Sequence, residues 1–145
     1  MASKRLQVTA DHIGPVDASM ICVGTPSNGN GSLRFDYVMK VAEQIADYLR
    51  NVDAYHVVIV RSTVLPGTVS DIVIPLLEKR SKKTAGRDFG VCMNPEFMRE
   101  GTSMADFYKP IFTLVGELDE RSGSVVEEIY SNIKAPVIRT EIKSL

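Results

Sequence analysis

The chain has 145 residues, of which 44% are hydrophobic and 24% charged, and its formal net charge is -1. This length is sufficient for one domain with its own core, and the near-neutral charge excludes the basic stripe typical of nucleic-acid-binding proteins. No run approaches the roughly 18 apolar residues of a membrane span, and no apolar stretch near the N-terminus indicates a secretory signal, so we expect a cytoplasmic protein with neither a membrane nor a nucleic-acid partner.

The first half of the sequence alternates short apolar runs with amphipathic stretches. Residues 20–23 predict a strand, and a loop rich in Gly, Ser, Asn and Pro follows at 24–33. From 35 to about 50 the apolar residues recur at helical spacing, and the β-branched run at 56–60 predicts a second strand. A turn at 62–67 leads to a second helix from about Thr68, which Pro75 should kink.

The second half continues the same alternation. Residues 89–93 and 111–116 predict strands, 122–133 predict a helix, and 136–138 predict the last strand. Strands that are apolar throughout and alternate with helices indicate the α/β class. We therefore expect a Rossmann-like parallel sheet with helices on both faces.

Polar residues follow three of the predicted strands. Thr25 follows the first strand, Thr63 the second, and the pair Glu96 and Glu100 the third. Ligands of parallel sheets bind at the carboxyl ends of the strands, so we expect these clusters to meet at one edge. On spacing alone, the two threonines are either ligand donors or turn residues, and the two glutamates are either an acid/base pair or a solvated acidic turn or helix start.

The two cysteines, Cys22 and Cys92, each lie inside an apolar run, and neither belongs to a C-x-x-C pair. Both histidines, His12 and His56, are distant from them in sequence. No zinc site or other metal centre is therefore predicted, and both thiols are expected to be buried.

Three motifs in the same order resemble the UDP-glucose/GDP-mannose 6-dehydrogenase family of NAD-dependent enzymes. They are ICVGTPS at 21–27, VIVRSTVLPGT at 58–68 and NPEFMREGT at 94–102. The similarity extends from about Ala10 over nearly the whole chain. The second motif and VGELD at 115–119 are closer to the GDP-mannose branch of the family.

The resemblance implies residue roles. Thr25 and Thr63 match residues that contact NAD, and Glu96 matches a catalytic glutamate that handles protons through ordered water, a role that fits alcohol oxidation and acyl hydrolysis. Phe97, Met98, Arg99 and Glu100 match residues that border the nucleotide sugar. The implied reaction is the oxidation of GDP-mannose to GDP-mannuronate in two hydride transfers. The alternatives are UDP-glucose as the substrate, a non-catalytic nucleotide- or partner-binding remnant, and a hydrolase that uses Glu96 and Glu100 without a cofactor.

The sequence departs from the family pattern in two respects. A G-x-G-x-x-G turn is missing, since residues 29–34 contain two glycines and then Arg34. We interpret these residues as a flexible turn, with a phosphate-binding nest as the alternative. Neither cysteine matches the cysteine through which the family performs its second oxidation. We therefore expect residues 1–145 to be a partial NAD-binding domain that lacks the first βαβ unit and the central and C-terminal domains. The first strand would then expose an open edge, which favours self-association or a complementing chain.

Overall fold

The computed structural model describes residues 8–9, 14–26 and 34–145, which form a five-stranded sheet of order β1-β2-β3-β4-β5. The strands are β1 (Ala18–Ile21), β2 (Val57–Val60), β3 (Gly90–Met93), β4 (Thr113–Glu117) and β5 (Val137–Glu141). The helices are α1 (Asp36–Leu49), α2 (Ile74–Ser81), α3 (Ser103–Tyr108) and α4 (Glu120–Ile129). A π-helical turn (Val69–Val73) precedes α2, and a 3-10 turn (Ile142–Ser144) follows β5.

Helices cover both faces of the sheet. On one face α1 and α2 pack against Val58 and Val60, and on the other α4 packs through Val126 against Val57 and Ile59. Every residue of β2 and β3 is buried, as expected for central strands that are apolar on both sides. The predicted fold class is therefore confirmed.

One pair of neighbouring strands runs in opposite directions. β1, β2 and β3 are parallel, and β4 and β5 are parallel, but β4 is antiparallel to β3 with Met93 opposite Gly116. The segment 94–112 leaves the sheet at the end of β3 and returns to it at the same edge. An antiparallel neighbour needs no crossover helix, so the prediction of an all-parallel sheet is wrong at this position.

The first strand lies two residues earlier than predicted and ends at Ile21. Cys22 therefore lies beyond the strand and is exposed, whereas Cys92 in the central strand β3 is buried. The prediction that both thiols are buried is wrong for Cys22, because it follows an edge strand that is covered less completely than the central ones. Met20, two residues earlier, is also 37% exposed.

The predicted interruption of the second helix is present. The chain turns after β2 through Gly67, which has a φ of 84°, and forms a π-helix before α2 begins at Ile74. Pro75 lies in the first turn of α2, immediately after the π-helical residues. The helical stretch therefore changes from the wider π form to the α form next to Pro75, where the sequence predicted a kink.

Helix α4 begins at a capped N-terminus and has Tyr130 at its C-terminal end. Asp119 caps the helix by accepting a hydrogen bond of 2.9 Å from the Ser122 N–H, and Tyr130 is the residue at the opposite terminus.

The flexible turn predicted at 29–34 lies outside the described residues except for Arg34, whose N–H donates to the Pro26 carbonyl at 2.9 Å. Among the described residues, no helix is long and apolar enough to cross a bilayer.

Candidate functional site

The carboxyl ends of β1 and β2 are joined by the side chain of Ser62. Its hydroxyl oxygen accepts a hydrogen bond from the Val23 N–H at 2.9 Å and donates to the Val23 carbonyl at 2.7 Å. Ser62 is 6% exposed, so this contact is shielded from water. The segments that carry Thr25 and Thr63 therefore leave the sheet side by side, as the sequence predicted.

A second set of contacts joins the ends of β2 and β3. Arg61 Nη1 donates to Asn94 Oδ1 at 2.9 Å and also to the hydroxyl of Tyr130. The Tyr130 hydroxyl donates to the same Asn94 oxygen at 2.7 Å. Because Asn94 Nδ2 donates to the Leu114 carbonyl at 2.9 Å, the network also reaches β4. All three predicted polar clusters thus leave the sheet at one edge.

Glu96 lies beside this network, and Glu100 lies apart from it. The nearest Glu96 carboxylate oxygen is 4.0 Å from Arg61 Nε, and the Glu96 side chain is 42% exposed. Glu100 is exposed on the turn that follows. Neither residue starts a helix, since α3 begins only at Ser103. The alternative that these glutamates start a helix is therefore wrong. Glu96 is a partly solvated carboxylate with the Arg61 guanidinium beside it.

A cavity of 490 Å³ opens between the end of β3, α3 and the start of β4. Three of the predicted substrate-binding residues, Phe97, Met98 and Arg99, line it. The Phe97 ring meets Phe112 edge-on with 5.5 Å between ring centroids. The remaining lining residues are Arg61, Asn94, Pro95, Asp106, Phe107, Lys109, Pro110, Ile111, Thr113 and Tyr130. The other predicted site residues lie outside this lining, at Thr25, Thr63, Glu96 and Glu100.

The side chain of Arg99 forms an ion pair with Asp106. Its guanidinium donates to Asp106 at 2.8 and 3.2 Å, and its backbone N–H donates to the same carboxylate at 2.9 Å. These hydrogen bonds hold the pKa of Asp106 well below its usual range. Thr102 Oγ1 also donates to Asp106 at 2.9 Å. The segment after Glu96 is therefore folded back on itself and held by α3.

The electrostatic surroundings of Cys22 and Tyr130 are shared with Arg61 and Glu96. Partial burial of its sulfur raises the pKa of the Cys22 thiol, although the residue as a whole is exposed. The charge of Arg61 lowers this pKa, and that of Glu96 raises it. Burial likewise raises the pKa of Tyr130, and Arg61 opposes the change. Tyr130 therefore keeps its proton near neutral pH and remains a hydrogen-bond donor to Asn94.

The groups at this edge fit one end of a dinucleotide better than the other. Thr63 is exposed three residues beyond β2, and Thr25 is half-buried four residues beyond β1, so two neutral hydroxyls lie at the edge where parallel sheets bind cofactors. A pyrophosphate requires the backbone amides of a glycine-rich turn, and this sequence contains no G-x-G-x-x-G. The residues present thus fit the nicotinamide end of NAD.

Three residues of the network were not identified as site residues from the sequence, namely Arg61, Asn94 and Tyr130. A charged residue directly after the fully apolar run 57–60 was an available signal for Arg61, because buried cations are rare unless paired. Asn94 was read only as the end of a strand. Tyr130 lies 69 positions from Arg61, and its place on an apolar helix face gave no sign of a polar role.

Comparisons with known proteins agree on one family. The model of the UDP-glucose/GDP-mannose dehydrogenase family, NAD binding domain, matches residues 1–134. The chain is 48% identical over 145 residues to a GDP-mannose 6-dehydrogenase of Pseudomonas syringae pv. tomato, covering 98% of this chain and 33% of the relative.

Two solved structures resemble the fold. A ternary complex of GDP-mannose dehydrogenase from Pseudomonas aeruginosa is 50% identical with a TM-score of 0.85, covering 88% of this chain and 29% of the other. A UDP-glucose dehydrogenase from Pyrobaculum islandicum is 34% identical with a TM-score of 0.81, with the same coverages of 88% and 29%. The chain thus spans about a third of the length of the curated relatives it matches.

Proposed function

The chain belongs to the UDP-glucose/GDP-mannose dehydrogenase family, and from this premise we propose that residues 1–145 form part of the NAD-binding domain of a nucleotide-sugar 6-dehydrogenase. The whole enzyme would oxidise GDP-mannose to GDP-mannuronate in two hydride transfers. The observation that carries the proposal is the convergence of the segments 22–26, 61–63 and 94–99 at one edge of the sheet, beside the 490 Å³ cavity. Identity to the GDP-mannose enzymes near 50%, against 34% to the UDP-glucose enzyme, favours GDP-mannose as the substrate.

Each site residue has a defined part in the proposal. Thr25 and Thr63 would hold the nicotinamide end of NAD with their hydroxyls, and NAD, when bound, accepts hydride from the alcohol carbon of the substrate. Glu96, partly exposed and next to Arg61, would take up the alcohol proton through a water molecule. A carboxylate at the rim of an apolar cavity can accept a proton and release it to solvent, which two successive oxidations require.

The nucleotide sugar would be bordered by the segment that follows Glu96. Phe97, Met98 and Arg99 would contribute backbone and apolar contacts, since the guanidinium of Arg99 already binds Asp106. Glu100, exposed beyond them, would contact the sugar from outside the cavity. These four assignments rest on the family motif and on the position of the segment at the cavity.

NAD binding can be tested on the intact 145-residue chain by titration in ¹H–¹⁵N NMR spectra. Amide shifts are expected at residues 25, 63 and 96–100. The opposite end of the sheet, where Arg87 and Asp88 line a polar crevice with Tyr55, serves as an internal control and should not respond. If millimolar NAD shifts no amide, or shifts only those near Asp88, the proposed cofactor site is wrong.

Turnover requires the remainder of the enzyme in this proposal. The chain alone, mixed with NAD and GDP-mannose, should show no sustained growth of the reduced-cofactor absorbance. A hybrid in which this chain replaces the aligned third of the Pseudomonas aeruginosa enzyme should be active. In that hybrid Glu96→Gln should lower kcat by about 100-fold or more, whereas Arg80→Lys, on the outer surface of α2, should leave kcat unchanged. Full activity of the Glu96→Gln hybrid would refute the proton-transfer role.

The proposal extends to partners and location. In the described part of the chain β1 pairs only with β2, so its outer edge is available to a second copy or to a complementing chain that supplies a strand. A cytoplasmic location stays a prediction of the sequence.

A further inference from the structure

The guanidinium of Arg61 is held at the point where the ends of β2 and β3 meet. Only 12% of its side chain is exposed. Its Nη1 is bound by Asn94 and Tyr130, and its central carbon lies 5.9 Å from the centroid of the Tyr130 ring. Of the groups around it, Glu96 is the one carboxylate within ion-pair distance among the described residues.

The partners of Arg61 are themselves fixed. Asn94 is 1% exposed and Tyr130 is 8% exposed, and the two are hydrogen-bonded to each other. Asn94 is also tied to β4 through the Leu114 carbonyl. The anchor of the guanidinium is therefore shared by β3, β4 and the end of α4, which belong to the most buried part of the fold.

Anchoring one end of a guanidinium determines the direction of the other. The group is planar, and its N–H bonds point in fixed directions. With Nη1 bound on the inner side, Nε is left to point outward, and the Glu96 carboxylate lies 4.0 Å from it. A lysine at this position would supply the same charge without a fixed direction.

The ion pair between Arg61 and Glu96 stabilises the fold too little to offset the desolvation of the Arg61 guanidinium. Removing a guanidinium from water is unfavourable unless its hydrogen bonds are replaced, and an ion pair with a 42%-exposed partner at 4.0 Å adds little to folding stability. An apolar side chain would fill the same space between β2 and α4 without this cost. The feature that an apolar residue could not reproduce is a cation aimed at Glu96.

We propose that Arg61 is a positioning residue for Glu96: its guanidinium, held by Asn94 and Tyr130, keeps the Glu96 carboxylate at the edge of the sheet, between Pro95 and Phe97, which line the cavity. The inference rests on the proposed function of Glu96 and adds the residues that place it. Arg61 itself would exchange no proton with the substrate. Its effect is on how often the carboxylate occupies the position from which it acts.

The geometry can be tested on the intact chain by NMR of arginine side chains. The Arg61 Nε–H signal should exchange with water about tenfold more slowly than that of Arg50, which is exposed at the end of α1. Glu96→Gln should shift this signal, whereas Glu100→Gln should not. Tyr130→Phe should accelerate its exchange, whereas Tyr108→Phe, an exposed tyrosine at the end of α3, should leave it unchanged. An Arg61 signal that exchanges as fast as that of Arg50, or that responds to Glu100→Gln instead of Glu96→Gln, would overturn the proposal.

The functional consequence can be tested in the hybrid enzyme. Arg61→Lys should lower kcat on the order of 100-fold, because small misplacements of a reacting group have effects of this size. The KM for GDP-mannose should stay within about twofold, since the substrate contacts are unchanged. Tyr130→Phe, which keeps the arginine and nearly the same volume, should cause a smaller loss of kcat and provides a second variant if Arg61→Lys does not fold. Arg80→Lys is the matched control for the substitution itself.

A double-variant cycle separates this inference from the proposed function. If Arg61 acts through Glu96, the Arg61→Lys/Glu96→Gln variant should be no slower than Glu96→Gln alone. If the losses of kcat from the two substitutions multiply, the positioning role is wrong and the proposed function stands. The same holds if Glu96→Gln is slow while Arg61→Lys is fully active. A fully active Glu96→Gln would overturn both.

Discussion

The imidazole of His56 is buried at the start of β2, and its protonation is unfavourable in the folded state. It is 1% exposed. Its Nδ1 lies 2.9 Å from the Val16 carbonyl, and its Nε2 lies 3.0 Å from Ser19 Oγ. With Nδ1 carrying the proton, Nε2 accepts from the serine, and both ring nitrogens are satisfied by a neutral ring. Burial lowers the pKa of His56 below its ordinary value.

The direction of the resulting pH dependence follows from this depressed pKa. The unfolded chain takes up a proton at its histidines near pH 6.5, before folded His56 does. The stabilisation is thus complete above about pH 6.5 and is lost as the pH falls from there through the lower folded pKa. The urea midpoint should decline over this range in the parent chain and decline less in His56→Gln. If His12→Gln, and not His56→Gln, flattens the profile, the assignment to His56 is wrong.

Gly123 in α4 leaves room for an ion pair between β4 and β5. Arg139 donates to Glu117 at 2.7 Å. A Cβ added at Gly123 would overlap the Glu117 carboxylate and approach Arg139 Nη2 to 2.7 Å. Gly123→Ala should therefore lower the free energy of unfolding by about 1–3 kcal/mol, although alanine favours helices intrinsically.

The matched control for this substitution is Gly14→Ala, because an added Cβ at Gly14 would meet nothing within 4 Å. Both variants can be compared by urea denaturation. Equal midpoints for the two would show that the ion pair moves aside without cost, contrary to this prediction.

At the scale of single residues, the sequence located the site but not its internal connections. Motif and strand-end position are local signals, and from them the sequence predicts a site at Glu96 and the segment after it. Arg61 and Tyr130 escaped notice because their roles depend on contacts between residues far apart in sequence, which no local pattern encodes. The assigned roles of Thr25, Thr63 and the residues from 96 to 100 stay predictions.

The end of α2 contains the one non-glycine residue with a positive φ among the described residues. Lys82 adopts a φ of 63° and ψ of 27°, the left-handed conformation that terminates many helices. Glycine adopts it without the steric cost that a Cβ imposes. Lys82→Gly should therefore raise the free energy of unfolding by up to about 1 kcal/mol.

The same substitution within the helix should have the opposite sign. Lys79 lies inside α2, where Lys79→Gly should cost somewhat less than about 1 kcal/mol. Thermal melting of the two variants beside the parent chain checks both signs. If Lys82→Gly is destabilising as well, the left-handed conformation at this position is incorrect.

At the scale of elements, the long amphipathic and β-branched stretches were predicted well. The prediction failed for α3 and for the direction of β4. α3 has six residues and buries none of them, so it produces no apolar periodicity. An apolar run such as 113–117 identifies a strand without its direction, because side chains alternate in the same way in parallel and antiparallel strands.

At the scale of the whole molecule, the outer edge of β1 is the feature most directly linked to assembly. Asp17 and Ile21 accept hydrogen bonds from the Val57 and Arg61 N–H groups. Backbone groups alternate in direction along a strand, so the N–H of Met20, between them, points away from β2. Together with its partly exposed side chain, this leaves the outer edge of β1 without a partner strand among the described residues.

We expect the isolated chain to associate as its concentration rises. Sedimentation over a range of concentrations should show an increasing mean mass for the parent chain. Met20→Pro removes only an outward N–H, which edge strands tolerate, and should shift the chain towards monomer. Met104→Pro would disturb α3, so the better control is Met104→Thr, which removes a more exposed methionine (68% against 37%) away from this edge and should associate as the parent does. A parent chain that stays monomeric at the highest concentration would contradict this expectation.

The reversal between β3 and β4 has a consequence for how this fold can diversify. Because the segment 94–112 starts and finishes at the same edge, both of its anchor points belong to adjacent strands of one rigid sheet. The length and sequence of such a connecting segment can change without altering the register of any strand or the path of any covering helix. It also carries most of the cavity lining. Exchanging residues 94–112 for those of a relative that accepts a different sugar should therefore transfer the shape of the cavity in one piece, with the underlying scaffold unaltered.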